Sequence, residues 1–181
     1  MIAMGAVRVK AFLYDYLLIL AYLIVLSGIG TFLTLGPFAT KWSDFLSSPI
    51  RMDLFAFCVS VLPVVLYFAF TESSPAAASW GKRRVGVVVL TRKGEHMSKG
   101  RSLARSSLKF FPWQMSHTAM FHIPGFPAVT AEPPGWTVIV LVLAWILVGV
   151  YLLGLTAIGA GGRTVYDRLT GSSVVIAATM R

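Results

Sequence analysis

The chain has 181 residues, of which 56% are hydrophobic and only 13% charged, and its mean hydropathy is +0.76. Soluble domains contain about 45–50% apolar and about 25% charged residues, so this composition excludes a soluble globular enzyme, a disordered tail and a disulfide scaffold. Sixteen lysines and arginines against seven acidic residues give a net charge of +9. In a membrane protein such an excess sets topology and attracts lipid headgroups, and we expect no nucleic-acid partner.

Three long uncharged stretches predict transmembrane helices. Residues 16–36 are uncharged over 21 positions, about 31 Å as a helix, which matches the hydrocarbon core of a bilayer. Residues 54–70 are uncharged over 17 positions with Pro63 as a tolerable kink, and residues 136–162 are uncharged throughout. We therefore expect membrane segments at about 12–36, 54–70 and 136–160.

The charge distribution predicts a fourth segment. Nine basic residues and one acid, Glu95, lie between Lys82 and Lys109, so the positive-inside rule assigns this basic loop, residues 71–107, to the cytoplasm. Basic residues before the first apolar stretch and after the last one indicate the same side. The second half then has to cross twice, which predicts a short transmembrane or re-entrant helix at about 108–123. We expect one domain, residues 1–181, in the inner membrane with both termini cytoplasmic.

Two short runs outside the apolar stretches favour β structure. Val85 and residues 87–90 form a run rich in β-branched side chains, and residues 173–176 form another after a Thr-Gly pair. The two runs predict a small cytoplasmic β element, the alternative being two unrelated extended loops. The predicted fold class is thus an all-α membrane protein with about four helices and a small sheet.

Asp15 is the acid that enters an apolar stretch. A carboxylate at this depth is costly unless it faces protein or water. Arg8 lies about two helical turns earlier on the same face, roughly 10 Å away along the axis. The pattern fits an ion or proton site in which Arg8 tunes Asp15 and His117 carries protons, or a structural carboxylate held by hydrogen bonds.

Three motifs in order resemble the RDD family of small membrane proteins. They are Arg8, Ala11 and Asp15, then residues 80–86 (WGKRRVG), then residues 166–171 (YDRLTG). The arginine and two aspartates of the family name correspond to Arg8, Asp15 and Asp167, and Tyr166 stands where many members have a histidine. The resemblance implies a multi-pass membrane protein, with ligand transport suggested for the family and sodium/proton antiport proposed for some members.

Two functional hypotheses follow. In the first, the protein transports a small ion or solute, and the most specific form of this hypothesis is cation/proton exchange. The site would consist of Asp15, Arg8 and His117. In the second, it is a non-transporting scaffold, an assembly partner or a lipid-interacting protein. There the Arg/Asp/Asp set is structural, and Arg8 ties Asp167 to the first helix.

Other polar residues carry more modest expectations. Asp167, Arg168, Gly81 and Lys82 are predicted to be structural motif residues. The basic helix face of Arg101, Arg105 and Lys109 is predicted to contact the bilayer through anionic headgroups. No phosphate loop, zinc pattern or nucleophile elbow is present, so we expect neither an enzyme nor a cofactor or metal. A chain of this size would enclose a transport pathway only as a homo-oligomer.

Overall fold

The structure, a computed structural model, describes Ala3 and residues 5–126, 128–156 and 162–177. The helices are α1 (Gly5–Leu35), α2 (Ala39–Leu46), α3 (Pro49–Ala56), α4 (Leu62–Glu72), α5 (Trp80–Arg84), α6 (Lys99–Phe121), α7 (Gly135–Thr156) and α8 (Val165–Leu169). The strands are β1 (Val87–Thr91) and β2 (Ser172–Ile176). Residues 157–160, the predicted end of the last membrane segment, lie outside the described residues.

Three helices among the described residues are long and apolar enough to cross a membrane. They are Gly5–Leu35, Pro49–Glu72 and Gly135–Leu155, with mean hydropathies of 2.3, 2.3 and 2.9. Few side chains in the most apolar parts of α1 and α7 are buried inside the protein, as expected for helices that face lipid. The prediction of a mostly helical membrane protein is confirmed.

The inward face of α1 is polar. Its buried residues are Arg8, Ala11 and Asp15, whose spacing of three and four residues places them on one side of the helix. The outward face carries large apolar side chains such as Leu13 and Ile24. This arrangement reverses that of a soluble amphipathic helix and directs Arg8 and Asp15 towards the rest of the protein, whereas Lys10 is exposed.

The helix Pro49–Glu72 changes geometry in its middle. A π-helical turn, Phe57–Val61, joins α3 to α4 just before Pro63, which lacks the N–H that would bond to the carbonyl of Val59 four residues earlier. The hydroxyl of Tyr22 in α1 donates to that carbonyl oxygen. The helix therefore continues through the proline because a neighbouring helix supplies the missing donor.

The two strands form an antiparallel sheet. Val87 lies opposite Ile176, and Thr91 lies opposite Ser172. One face of the sheet packs into a small hydrophobic core with Ala3, Val89, Met97 and Val174. The predicted pairing of the two runs in a small sheet is confirmed, and the alternative of two unrelated extended loops is wrong.

Helix α6 begins nine residues before the predicted segment 108–123. Its start is capped by Ser98, whose hydroxyl accepts a hydrogen bond from the backbone N–H of Arg101 at 3.3 Å. The helix then continues through Pro112 and packs along α4 and α7. The predicted basic loop 71–107 therefore contains α5, β1 and the first turns of α6.

Candidate functional site: a buried ionic cluster beside Asp15

Asp15 is held by hydrogen bonds from uncharged groups. Its carboxylate accepts from the hydroxyl of Ser79 at 2.6 Å, the backbone N–H of Gly81 at 2.7 Å and the hydroxyl of Tyr67 at 2.8 Å. The residue is 0% exposed. Three donors from α4 and the beginning of α5 thus replace the water that a carboxylate normally requires.

Gly81 allows α5 to approach α1 this closely. A Cβ atom at this position would lie 2.1 Å from the carbonyl oxygen of Ala11 and 2.8 Å from the carboxyl carbon of Asp15. No side chain fits in that space, so the N–H of residue 81 reaches Asp15 only because the residue is glycine. The predicted structural role of Gly81 therefore has a steric basis.

Five buried charged side chains form a network that we call the ionic cluster: Arg8, Glu72, Lys82, Arg105 and Asp167. Arg105 is at its centre and is 2% exposed. Its Nη1 lies 2.6 Å from Oε2 of Glu72, and its Nη2 lies 2.7 Å from Oδ1 of Asp167. One guanidinium therefore bridges two carboxylates, in the planar geometry that suits arginine.

The other two cations extend the ionic cluster in opposite directions. Arg8 Nη2 lies 2.5 Å from Oδ2 of Asp167, and Arg8 also donates to the backbone carbonyl of Gly162. Lys82 Nζ lies 2.7 Å from Oε1 of Glu72. The ionic cluster consequently joins α1, α4, α5, α6 and α8, which come from both ends and the middle of the chain.

Asp167 has further donors beyond the two arginines. Its Oδ2 accepts from the backbone N–H and the hydroxyl of Thr164 at 3.1 and 2.9 Å, and its Oδ1 accepts from the hydroxyl of Ser172 at 3.3 Å. Burial alone would raise the pKa of this carboxyl, but Arg105 and Arg8 outweigh burial and hold the pKa well below its usual range. Asp167 is therefore an anchored anion.

Tyr166 packs under the same arginine. The guanidinium carbon of Arg105 lies 5.1 Å from the centre of the Tyr166 ring, a distance typical of a cation–π contact. Burial raises the pKa of the Tyr166 hydroxyl, so the residue stays neutral at physiological pH. The Tyr166 ring packs against the ionic cluster. A histidine at this position would add a group that titrates near neutral pH, which tyrosine does not.

The structure separates the residues of the predicted ion or proton site. Arg8 bonds to Asp167 and Gly162, whereas Asp15 bonds to Tyr67, Ser79 and Gly81. His117 lines a cavity of about 520 Å³ whose lining does not include Asp15. The buried Nδ1 atom of His117 has no hydrogen-bond partner among the described residues. The three residues do not form one constellation.

The three residues of the predicted basic helix face, Arg101, Arg105 and Lys109, have different surroundings in the structure. Arg101 is exposed, as a headgroup contact requires, but the prediction that Arg105 faces lipid is wrong because its guanidinium is buried between two carboxylates. The ammonium of Lys109 lies 3.5 Å from the centre of the Phe68 ring, so this side chain points into the protein. Arg168 is exposed, and its carbonyl accepts from Arg92.

Sequence reasoning missed Glu72. It is the only acidic residue in the stretch 54–94, and it ends an apolar helix just before a segment rich in lysine and arginine. An isolated acid at that boundary needs a basic partner if it is buried. Among the predicted motif residues, Lys82 is the basic residue closest to Glu72 in the sequence. Within the described part of the chain, no three His, Cys, Asp or Glu side chains group into a metal site.

These observations define a class of protein: a membrane protein with long apolar helices whose charged ends are joined by a buried network of ion pairs. The sequence model of the RDD family matches residues 4–171, so the chain belongs to the RDD family. The match includes Arg8, Asp15 and Asp167. Comparison with curated proteins and comparison with solved structures give no match.

Proposed function

We propose that this RDD protein is a non-transporting membrane scaffold in which Arg8, Asp15 and Asp167 hold the fold together. The observation that carries this proposal is the state of Asp15, which is 0% exposed and has three uncharged donors. An exchange site needs a carboxylate that alternately meets a proton and a cation from water. Asp15 has the opposite surroundings, because it is closed to solvent and both of its oxygens accept hydrogen bonds from the protein.

The cavities support the same proposal over cation/proton exchange. Asp15 lines neither the cavity around His117 nor a second one between α1, α6 and α7. The first cavity is lined mainly by apolar side chains from α1, α2, α6 and the helix Pro49–Glu72, which offer few of the oxygen ligands that a hard cation requires. Neither cavity gives a cation a path to Asp15.

We further propose four membrane crossings, with α6 as the third in chain order and both termini in the cytoplasm. The start of α1, the end of α4, the start of α6 and the segment after α7 all meet in the ionic cluster. An up-down-up-down arrangement brings these four helix ends to one membrane face. The basic residues of the 71–107 segment favour the cytoplasmic face of the inner membrane.

The test of the scaffold role compares wild type, Asp15→Asn and Asp44→Asn, whose side chain is exposed. Each is reconstituted in vesicles with a pH-sensitive dye and given sodium or potassium jumps, and each is melted in detergent. We expect no cation-driven proton signal from folded wild type. We expect Asp15→Asn to lose about 1–3 kcal/mol of stability, since a buried donor loses its partner, and Asp44→Asn to melt like wild type.

The opposite result is equally clear. A cation-driven signal in wild type and in Asp44→Asn that disappears in an Asp15→Asn protein of unchanged melting temperature would make Asp15 a transport group. That outcome would replace the scaffold proposal with cation/proton exchange.

A further inference from the structure

A cavity of about 240 Å³ lies between α1, α6 and α7. Its lining contains four basic side chains: Arg8, Lys82, Arg105 and Lys109. The same lining contains apolar side chains of α6 and α7, among them Trp113, Val148 and Leu155. A cavity that combines basic side chains with a mainly apolar surface suits a molecule that has an anionic group and a hydrocarbon part.

The basic side chains of this cavity outnumber the acids available to them. Arg8, Lys82 and Arg105 pair with Glu72 and Asp167, but Lys109 makes no ion pair with a carboxylate of the described residues. Even with Asp15 included, four cations face three carboxylates. The surplus positive charge is the reason to look for an anion from outside the chain.

Lys109 is held in place without an anion. Its ammonium nitrogen lies 3.5 Å from the ring centre of Phe68, 4.9 Å from that of Phe110 and 5.1 Å from that of Phe12. Contacts with aromatic rings offset part of the cost of removing an ammonium from water. They supply no hydrogen-bond acceptor with a formal charge, so the donors of Lys109 remain available to an anionic oxygen.

The apolar part of the cavity continues to the outer surface of the helices. Trp113 is 52% exposed and Leu152 is 55% exposed, and both also line the cavity. At about 240 Å³ the cavity is smaller than the roughly 300–1,000 Å³ of sites that enclose a whole ligand. It accommodates an anionic group and the adjoining methylenes, while a longer chain would extend over α6 and α7 into the bilayer.

We propose that this cavity binds an anionic phospholipid, whose phosphate pairs with Lys109 and whose acyl chain lies on the apolar surface of α6 and α7. The inference goes beyond the scaffold role, because its central residue is the cation that the ionic cluster leaves without a carboxylate. The cavity shares Arg8, Lys82 and Arg105 with the ionic cluster, but the test changes Lys109, which lies outside that cluster, and measures lipid binding instead of ion exchange. Loss of lipid binding and failure of the scaffold proposal are therefore separate results.

The experiment measures the melting temperature of the purified full-length protein in detergent as lipid is added. The probes are phosphatidylglycerol, phosphatidylcholine and soluble glycerol 3-phosphate, which separate the anionic charge from the hydrocarbon chain. We expect phosphatidylglycerol to raise the melting temperature in a saturable way. Phosphatidylcholine and glycerol 3-phosphate should leave it nearly unchanged.

The variant Lys109→Met keeps an unbranched apolar side chain among the three rings and removes the charge. We expect it to fold and to bind phosphatidylglycerol at least about tenfold more weakly, as loss of a charge-assisted hydrogen bond implies. Lys99→Gln removes one charge from an exposed position at the start of the same helix and should bind like wild type. Val148→Phe, which fills the apolar lining, should also weaken binding.

Three outcomes would overturn the proposal. Equal affinity of Lys109→Met and wild type for phosphatidylglycerol would remove Lys109 from the site. An equal response to phosphatidylcholine would remove the role of charge. An equal response to glycerol 3-phosphate would make the cavity a site for free phosphate instead of lipid. If Lys109→Met fails to fold, normal binding by a folded Val148→Phe protein would count against the site.

Discussion

Arg105 is the residue on which the ionic cluster depends most. It contacts Glu72 at the end of α4 and Asp167 in α8, whereas Arg8 and Lys82 each pair with one carboxylate of the ionic cluster. Its position on α6 follows from the helical repeat, since Ser102, Arg105 and Ser106 are spaced to face inwards together. Removal of this one side chain leaves two buried carboxylates each with a single basic partner.

We therefore expect Arg105→Gln to destabilise the protein by about 3–5 kcal/mol, the usual effect of breaking a buried ion pair. Arg101→Gln, one turn earlier on the exposed face of α6, removes the same charge and should change stability by less than about 0.5 kcal/mol. Thermal unfolding in detergent measures both. Equal stability of the two variants would show that the ionic cluster contributes little to the fold.

At the scale of residues, the sequence identified important side chains such as Asp15 but did not identify the residues that they contact. Asp15 was recognisable because a carboxylate in an apolar helix needs a partner. Its partners Ser79 and Gly81 are small residues more than sixty positions away, and nothing in their local pattern indicates that they donate to an acid. Arg105 was assigned to the lipid surface because helical spacing alone does not say which face is covered.

At the scale of elements, residues 162–177, which contain α8 and β2, fasten onto the rest of the protein, and we call this segment the latch. The helix α8 supplies Asp167 to the ionic cluster, and β2 adds to β1 through a five-residue register. Short elements of this kind have little stability of their own. The latch holds its position because a buried anion and a strand pairing fix its two ends.

Acid should loosen this latch. The pKa of Asp167 is lowered by Arg105 and Arg8 against the opposing effect of burial, so the ionised carboxylate stabilises the folded state. That contribution is fully present above the ordinary carboxyl pKa of about 3.9 and is lost as the pH falls below it towards the lowered pKa of the folded state.

We expect the melting temperature to fall when the pH is reduced from about 6 to about 3. Asp167→Asn, which lacks this carboxyl, should start from a lower melting temperature and show a smaller fall over the same range. Identical pH dependence in the two proteins would contradict a stabilising charge at Asp167.

The existence of elements was easier to predict than their limits. Apolar length identified three of the long helices, and β-branched runs identified both strands. The membrane segment was predicted to start at about residue 108, separately from the basic helix face that begins at Arg101. The cap at Ser98 and packing on α4 and α7 make both parts of one helix that begins at Lys99. Packing partners, which composition does not contain, decided the boundary.

At the scale of the whole molecule, the start of α1, the end of α4, the start of α6 and the segment after α7 meet at the ionic cluster. The proposed cytoplasmic location of the ionic cluster and the proposed crossing of α6 together predict opposite positions for two exposed residues, Lys93 and Ala128. Lys93 lies just after β1, on the side of the ionic cluster. Ala128 lies between α6 and α7, at the other end of α6.

Cysteine labelling tests this arrangement. In a Cys58→Ser background, which removes the natural cysteine, we expect Ala128→Cys to react with an impermeant maleimide in intact spheroplasts. Lys93→Cys should react only after the membrane is permeabilised. Labelling of both positions from the same side would mean that α6 does not cross, and the four-crossing topology would be abandoned.

The position of the latch in the chain also determines the order in which the protein matures. Ribosomes synthesise α1, α4 and α6 before residues 162–177, so Arg8 and Arg105 enter the membrane surface before Asp167 exists. During this interval Glu72 is the ionic cluster's only carboxylate, and β1 has no partner strand. The ionic cluster and the sheet are therefore complete only once α8 and β2 have been made, and a chain that stops before α8 keeps excess positive charge at its core.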